Sequence, residues 1–194
     1  MEETISKMTE YKEFIGSFQI NPNLCDGVID YYHSQENRIR PGSVKQEGFI
    51  DKETKESSDL TLSTEEREVW PYLDALQECL NEYLKHFEMA DSVAPFNIEN
   101  SKFNIQRYPS GGGFKKWHFE NSGYPIVRKR HLVFMTYLNS VQRGGTEFQY
   151  QNLEFQAIKG RTLIWPAGWT HTHRGVVSQT EVKYITTGWY SYVD

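Results

Sequence analysis

Cysteine is nearly absent from this chain. Cys25 and Cys79 are the two in 194 residues, far apart and in different expected elements. Neither a disulfide framework nor a cysteine zinc site can be built from them, so a reducing cytoplasm is the expected home. Long apolar runs are missing too; none approaches the ~20 residues of a membrane span. The opening MEETISKMTEYKEF is charged and has no apolar stretch, so neither a signal peptide nor a membrane role is expected. A basic excess is also lacking. The formal net charge is −5, whereas a nucleic-acid binder needs a basic face to neutralise phosphates. No internal repeat or low-complexity tract occurs, and nothing in the sequence fixes an oligomeric state.

What the chain does have is aromatic side chains. Twelve Tyr and eleven Phe contribute to a 14% aromatic content, which favours strands and aromatic-lined pockets over a helical bundle. The length suits a single domain over 1–194. NPNLCDGVIDYYHSQ reads as a helix, with Asn21 as cap, Pro22 at the first position and Leu24, Val28 and Tyr31 or Tyr32 as the apolar stripe. STEE offers a capping box, Ser63 with Glu66. Leu73, Leu76, Leu80, Tyr83, Leu84 and Phe87 then form a second helical face, with a kink or restart at Pro71. Between these helices, residues 36–62 are charged and poor in apolar side chains, and read as a long mobile segment with one short strand. From about residue 97, short β-rich runs (FNIQRY, HLVFMTYLN, TEFQY, LEFQAI, RTLIWP, VKYITTGWYSYV) alternate with Gly/Pro turns. A helical N-terminal part, about 1–96, followed by an antiparallel β core, about 97–194, is an α+β sandwich or barrel.

The chemistry lies in WHFEN. On a strand, His118 and Glu120 project from one face, because side chains alternate with period two. Two ligands on one face call for a third from elsewhere, and HTHRG offers His171 and His173. Two imidazoles and a carboxylate on one face of an octahedron leave three positions open, the usual non-haem Fe(II) arrangement. Zinc hydrolases also use two histidines and a carboxylate. His33, His86 and His131 lie at element ends and read as structural.

The surrounding motifs carry a resemblance. QRYPSGGGFKKWHFE places Tyr108 ten residues before His118. RHLVFMTYLNSVQRGGTEF has an arginine leading a strand that ends in Tyr137-Leu138-Asn139, then Gly144-Gly145. Lys159-Gly160 makes a turn before RTLIWP, Lys183 follows His173 by ten, and KYITTGWY closes the chain. In these features the sequence resembles the Fe(II)/2-oxoglutarate-dependent oxygenases, and within them the prolyl 4-hydroxylase-like group. The likeness covers 103–190 closely and 18–35 loosely.

The resemblance implies a double-stranded β-helix (a jelly roll, cupin-like) with the N-terminal helices packed on one sheet. It implies Fe(II) held by His118, Glu120 and His173, with 2-oxoglutarate and O₂ as cosubstrates and ascorbate as a supporting reductant. Lys183 would pair with the buried 2-oxoglutarate carboxylate, Tyr137 would donate to it, and Tyr108 would add a polar contact. Thr187 and Trp189 share the face of Lys183 and would line the same pocket, Trp189 toward the substrate. The +10 spacing to Lys183 selects His173 as ligand and leaves His171 as a supporting or substrate-side residue. The family's usual carboxylate is aspartate, so Glu120 is a departure by one methylene. The implied reaction hydroxylates an unactivated C–H bond, on a prolyl residue of a peptide or protein, with release of succinate and CO₂. Segment 36–62 would close over it as a lid. Rival readings are an oxygenase for a free amino acid or other small molecule, a zinc hydrolase, and a non-catalytic 2-oxoglutarate-binding jelly roll.

Overall fold

The computed structural model describes residues 5–44, 49–92 and 94–193. Its strands are β1 (Ile5–Lys12), β2 (Ile15–Ile20), β3 (Arg40–Pro41), β4 (Ser58–Ser63), β5 (Phe96–Ile98), β6 (Lys102–Tyr108), β7 (Arg130–Tyr137), β8 (Val141–Phe148), β9 (Leu153–Ala157), β10 (Arg161–Pro166), β11 (His173–Gly175) and β12 (Lys183–Tyr192). The two α-helices are α1 (Pro22–Ser34) and α2 (Trp70–His86). The large sheet runs β1-β2-β10-β7-β12-β6-β4-β3, with β5 on the far end of β12. A small sheet runs β11-β8-β9. Every strand pairing among the described residues is antiparallel. None of their helices is long and apolar enough to cross a membrane.

The alternation along β7 builds two cores from one strand. Leu132 and Phe134 point to the helix side and join Val28, Tyr32, Leu76 and Leu80 of α1 and α2. Val133, Met135 and Tyr137 point the other way and meet Phe148, Phe155 and Trp165 between the sheets. Helices on one face and a second sheet on the other leave the large sheet buried on both sides. Its buried threonines stay satisfied through α2: the Tyr72 hydroxyl lies 3.1 Å from Thr136 and 2.5 Å from Thr186, and Thr136 lies 2.8 Å from Thr162.

The helix signals hold with one change. Asn21 caps α1 by accepting from the Asn23 amide, and Pro22 sits in the first turn. The Ser63–Glu66 box forms, with Glu66 Oε1 accepting from the Ser63 amide at 2.7 Å and Ser63 Oγ accepting from the Glu65 amide. It caps no α-helix, however. It fixes the turn before a 3₁₀ segment, Arg67–Val69, and α2 starts anew at Trp70 with Pro71 in its first turn.

The N-terminal 96 residues are not simply helical. β1 and β2 form a hairpin that extends the large sheet through β10, and β4 is inserted between β3 and β6. Much of 36–62 is therefore wall rather than mobile lid. Leu60 and Leu62 of β4 are fully buried, and alternation places Asp59 and Thr61 on the opposite face. Residues 45–48 lie outside the described residues.

Candidate metal centre

His118 and Glu120 do not lie on a regular strand. Their segment is extended because it is pinned from both sides. His118 and His173 exchange backbone hydrogen bonds of 3.0 and 2.9 Å, an isolated antiparallel bridge, and the Glu120 and Asn121 amides donate to the Ala167 carbonyl at 3.1 and 2.9 Å. An extended backbone still sends residues i and i+2 the same way. The bridge brings His173, the first residue of β11, beside them. One ligand atom from each of His118, Glu120 and His173 lies within 4.8 Å of the others.

The protonation states suit a cation. His118 Nδ1 lies 3.0 Å from the Lys116 carbonyl and His173 Nδ1 lies 2.9 Å from the His171 carbonyl. A carbonyl can only accept, so each Nδ1 carries a proton and each Nε2 is the atom left for a metal. These Nε2 atoms face Glu120 Oε1 at 3.3 and 3.6 Å. Burial, then the neighbouring His118, pushes the His173 imidazole down to about 4. Burial alone would raise the Glu120 carboxyl, but the hydrogen bond and charge of His118, followed by His173 and Arg130, hold it at about 2. Two imidazoles whose Nδ1 atoms face carbonyls, His173 held neutral by burial, and an ionised carboxylate fit a hard-to-borderline divalent metal such as Fe(II).

The cluster opens into a cavity of about 900 Å³ between the sheets. Tyr108, Tyr137, Lys183, Thr187 and Trp189 all line it. Lys183, 5% exposed, comes from the start of β12, and burial pushes its ammonium down to about 8. Its Nζ donates to the carbonyls of Gly144 at 2.7 Å and Val176 at 3.1 Å, and it forms no ion pair among the described residues. A buried lysine with no carboxylate partner and one unused proton is the complement of an anionic ligand. The Tyr137 hydroxyl lies 2.7 Å from the Thr146 hydroxyl and donates to the Phe155 carbonyl at 3.3 Å. Tyr108 donates to Gln106 Oε1 at 2.5 Å, and its ring lies 5.4 Å from Lys183 Nζ. Thr187 donates to the Phe134 carbonyl.

His171 is not on the cavity side. It lies in a 3₁₀ turn, and its Nε2 meets the Glu13 carbonyl at 3.0 Å in the turn of the β1–β2 hairpin. The two histidines do not share a strand face, because β11 begins only at His173. His171 serves through its backbone carbonyl, which orients His173. The other histidines behave as structural groups: His131 bridges the Ala90 carbonyl and the Tyr192 hydroxyl, His33 meets Tyr184, and His86 stacks on Tyr11.

Three arrangements escaped the sequence reading. Arg130 and Trp189 both contact Glu120 Oε2. Asn139 clasps the start of β12, donating to the Val182 carbonyl and accepting from the Tyr184 amide, both at 2.8 Å, on either side of Lys183. Lys55 of the 36–62 segment is buried in the cavity wall and pairs with Asp59 at 2.6 Å. Arg130 and Asn139 were visible as motif residues; Lys55 sits in a charged stretch with nothing to single it out.

Residues 103–191 match the family described as the 2OG-Fe(II) oxygenase superfamily. No curated protein sequence matches the chain. Among solved structures, it is similar to the viral collagen prolyl hydroxylase of Paramecium Bursaria Chlorella virus-1 in its 2OG complex, with TM-score 0.69 and 18% identity over 93% of this chain and 97% of that one. It is similar also to a Pseudomonas putida prolyl-4-hydroxylase, with TM-score 0.69 and 11% identity over 93% and 94%. A third is a Trichoplax adhaerens prolyl hydroxylase in complex with a hypoxia inducible factor oxygen degradation domain peptide fragment, with TM-score 0.70 and 17% identity over 93% and 84%. In its matched segment this chain is similar to the 2OG-Fe(II) oxygenase superfamily, whose chemistry uses Fe(II), 2-oxoglutarate and O₂, and its fold is like that of the prolyl hydroxylases.

Proposed function

We propose that the chain is a single catalytic domain, a double-stranded β-helix with helices packed on one sheet, that hydroxylates a prolyl residue of a peptide or protein. The observation that carries this reading is the layout of one cavity. A cluster of two imidazoles and a carboxylate opens into it, and an unpaired buried lysine lines the same space. Those two features answer the two things this chemistry must hold, a divalent metal and a dicarboxylate.

His118, Glu120 and His173 hold Fe(II). The bound metal, together with 2-oxoglutarate, supplies the oxidising chemistry that hydroxylates an unactivated C–H bond and releases succinate and CO₂. The protein's own part is placement. Lys183 receives the distal carboxylate of 2-oxoglutarate with its remaining proton, and the Tyr137 hydroxyl turns toward the same oxygens. Tyr108, fixed by Gln106, adds a polar contact at the lysine end. Charge-assisted hydrogen bonds of this kind contribute roughly 1.5–3 kcal/mol each. The Lys116 and His171 carbonyls keep both imidazoles in the ligating tautomer, so no reorganisation is needed when the metal enters. Thr187 and Ile185 of β12 line the stretch beyond Lys183 and keep water from that wall.

The substrate reading is supported by the mouth of the cavity. Phe119, Tyr124, Pro125 and Ile126 line it while staying exposed, Tyr124 at 75%. An open apolar rim suits an extended peptide better than a small molecule that must be enclosed. A similar fold in the Trichoplax enzyme holds a peptide fragment. The experiment is incubation with Fe(II), 2-oxoglutarate and a library of proline-containing peptides, read by mass spectrometry. Addition of one oxygen to proline, with matching succinate, is the expected result. Oxygenation of free amino acids but of no peptide would overturn the substrate class.

A further inference from the structure

Glu120 stands where the family's usual residue is aspartate, and its two carboxylate oxygens have different surroundings. Oε1 faces the Nε2 atoms of His118 and His173 at 3.3 and 3.6 Å. Oε2 faces away from the metal space and receives the Trp189 indole N–H at 2.9 Å and Arg130 Nη1 at 3.3 Å. Arg130 lies over the Trp189 ring, its Cζ 3.6 Å from the centroid, and Nη1 also reaches the Glu120 backbone carbonyl at 3.4 Å. The guanidinium is held in turn by Glu99, through Nε to Oε2 at 3.0 Å and Nη2 to Oε1 at 3.1 Å, and Ser191 donates to Glu99 at 2.7 Å. The members come from three places: Glu99 after β5, Arg130 at the start of β7, and Trp189 and Ser191 on β12.

We infer that Arg130 and Trp189 form a clamp that makes Glu120 a one-oxygen ligand. A free carboxylate beside a divalent cation can chelate through both oxygens. Here two donors occupy Oε2, so Oε1 alone meets the metal, and the positions that 2-oxoglutarate and O₂ require stay open. The extra methylene of glutamate is what lets one carboxylate reach the metal space and the clamp together. An aspartate carboxylate would sit one methylene short of both. Arg130 and Trp189 are positioning residues in this account, and their effect passes through Glu120. The inference rests on the proposed metal centre, so the test separates the two.

The experiment is anaerobic titration of the full chain with Co(II), read by visible absorption, with the melting curve of each metal-free variant as a folding control. His118→Ala tests the centre: loss of Co(II) binding supports it, and wild-type affinity would overturn the centre and the clamp with it. Trp189→Phe keeps a ring for Arg130 and deletes the N–H; about tenfold weaker Co(II) binding is expected, with a changed band shape as Oε2 becomes free to coordinate. Glu120→Asp, the family's own residue, should also bind Co(II) about tenfold more weakly here. In the Glu120→Asp background, Trp189→Phe should cost little more, because the clamp has already been lost. Should Trp189→Phe fail to fold, Arg130→Lys takes its place, with the same direction expected. Wild-type affinity and spectrum in the clamp variant, or fully additive losses in the double variant, would overturn the proposal.

Discussion

Replacing Lys183 with methionine separates three effects that the structure lets us size. Burial holds the ammonium at about 8 rather than its ordinary 10.5. A shift of that size means about 3 kcal/mol opposing the charged form in the ligand-free protein at neutral pH. The folded value lies below the unfolded one, so the unfolded chain binds more protons between about pH 8 and 10.5, and stability rises with pH across that window. Below it both states hold the proton and the penalty is constant; above it both are neutral and the penalty is gone. Methionine removes the penalty but strips the Gly144 and Val176 carbonyls of their donor, at about 1–3 kcal/mol each. The two nearly cancel, so the melting temperature at neutral pH should move little, and its rise between about pH 8 and 10.5 should disappear. Ligand binding behaves differently. A carboxylate beside Nζ favours the ammonium, so wild-type affinity for 2-oxoglutarate should fall as pH rises above about 8, by up to tenfold per unit, with proton uptake on binding. Calorimetric titrations of the Mn(II)-loaded protein in two buffers of different protonation enthalpy measure both quantities. Flat wild-type affinity from about pH 7 to 10, with Lys183→Met binding within about threefold of wild type, would refute the reasoning.

Other consequences follow from single contacts. Tyr72→Phe removes the hydroxyl shared by Thr136 and Thr186 and should destabilise by about 1–3 kcal/mol in urea unfolding, with no change in Co(II) affinity. Asn139→Ala releases both sides of Lys183 and should raise the 2-oxoglutarate Kd by about tenfold while metal affinity stays level; an unchanged Kd would show the clasp to be idle. Gly160 has φ +82° and its missing Cβ would press on the Ile20 carbonyl, so Gly160→Ala should cost about 1–3 kcal/mol in the same unfolding assay. Removing the metal with a chelator should leave the circular dichroism spectrum unchanged, because both hydrophobic clusters close without it; unfolding on chelation would contradict that.

Local signals were legible and long-range ones were not. The Asn21–Pro22 start of α1 and the restart of α2 at Pro71 follow from capping chemistry within a few residues. The six β-rich runs after residue 97 all became strands, because their alternation is strong and their turns carry Gly or Pro. The one short strand expected in 36–62 has a counterpart in β4, but its position was not legible: its buried leucines, Leu60 and Leu62, make a two-residue period too short to place without β6 as partner. The HxE pair was read correctly as facing one way, although a bridge to His173 rather than a strand imposes that geometry. His171, read as a supporting or substrate-side residue, supports His173 through its backbone carbonyl while its ring meets the β1–β2 turn. Spacing cannot show where a 3₁₀ turn ends and β11 begins. The contact of Trp189 with Glu120 spans 69 residues, and only the fold creates it.

The measurement that tests the central claim most directly is anaerobic addition of Fe(II) and then 2-oxoglutarate, watching for the weak visible charge-transfer band of the chelated cosubstrate. The account predicts a band in wild type that is lost in His118→Ala and weakened in Lys183→Ala. Absence of the band in wild type, with tight zinc binding in its place, would contradict it.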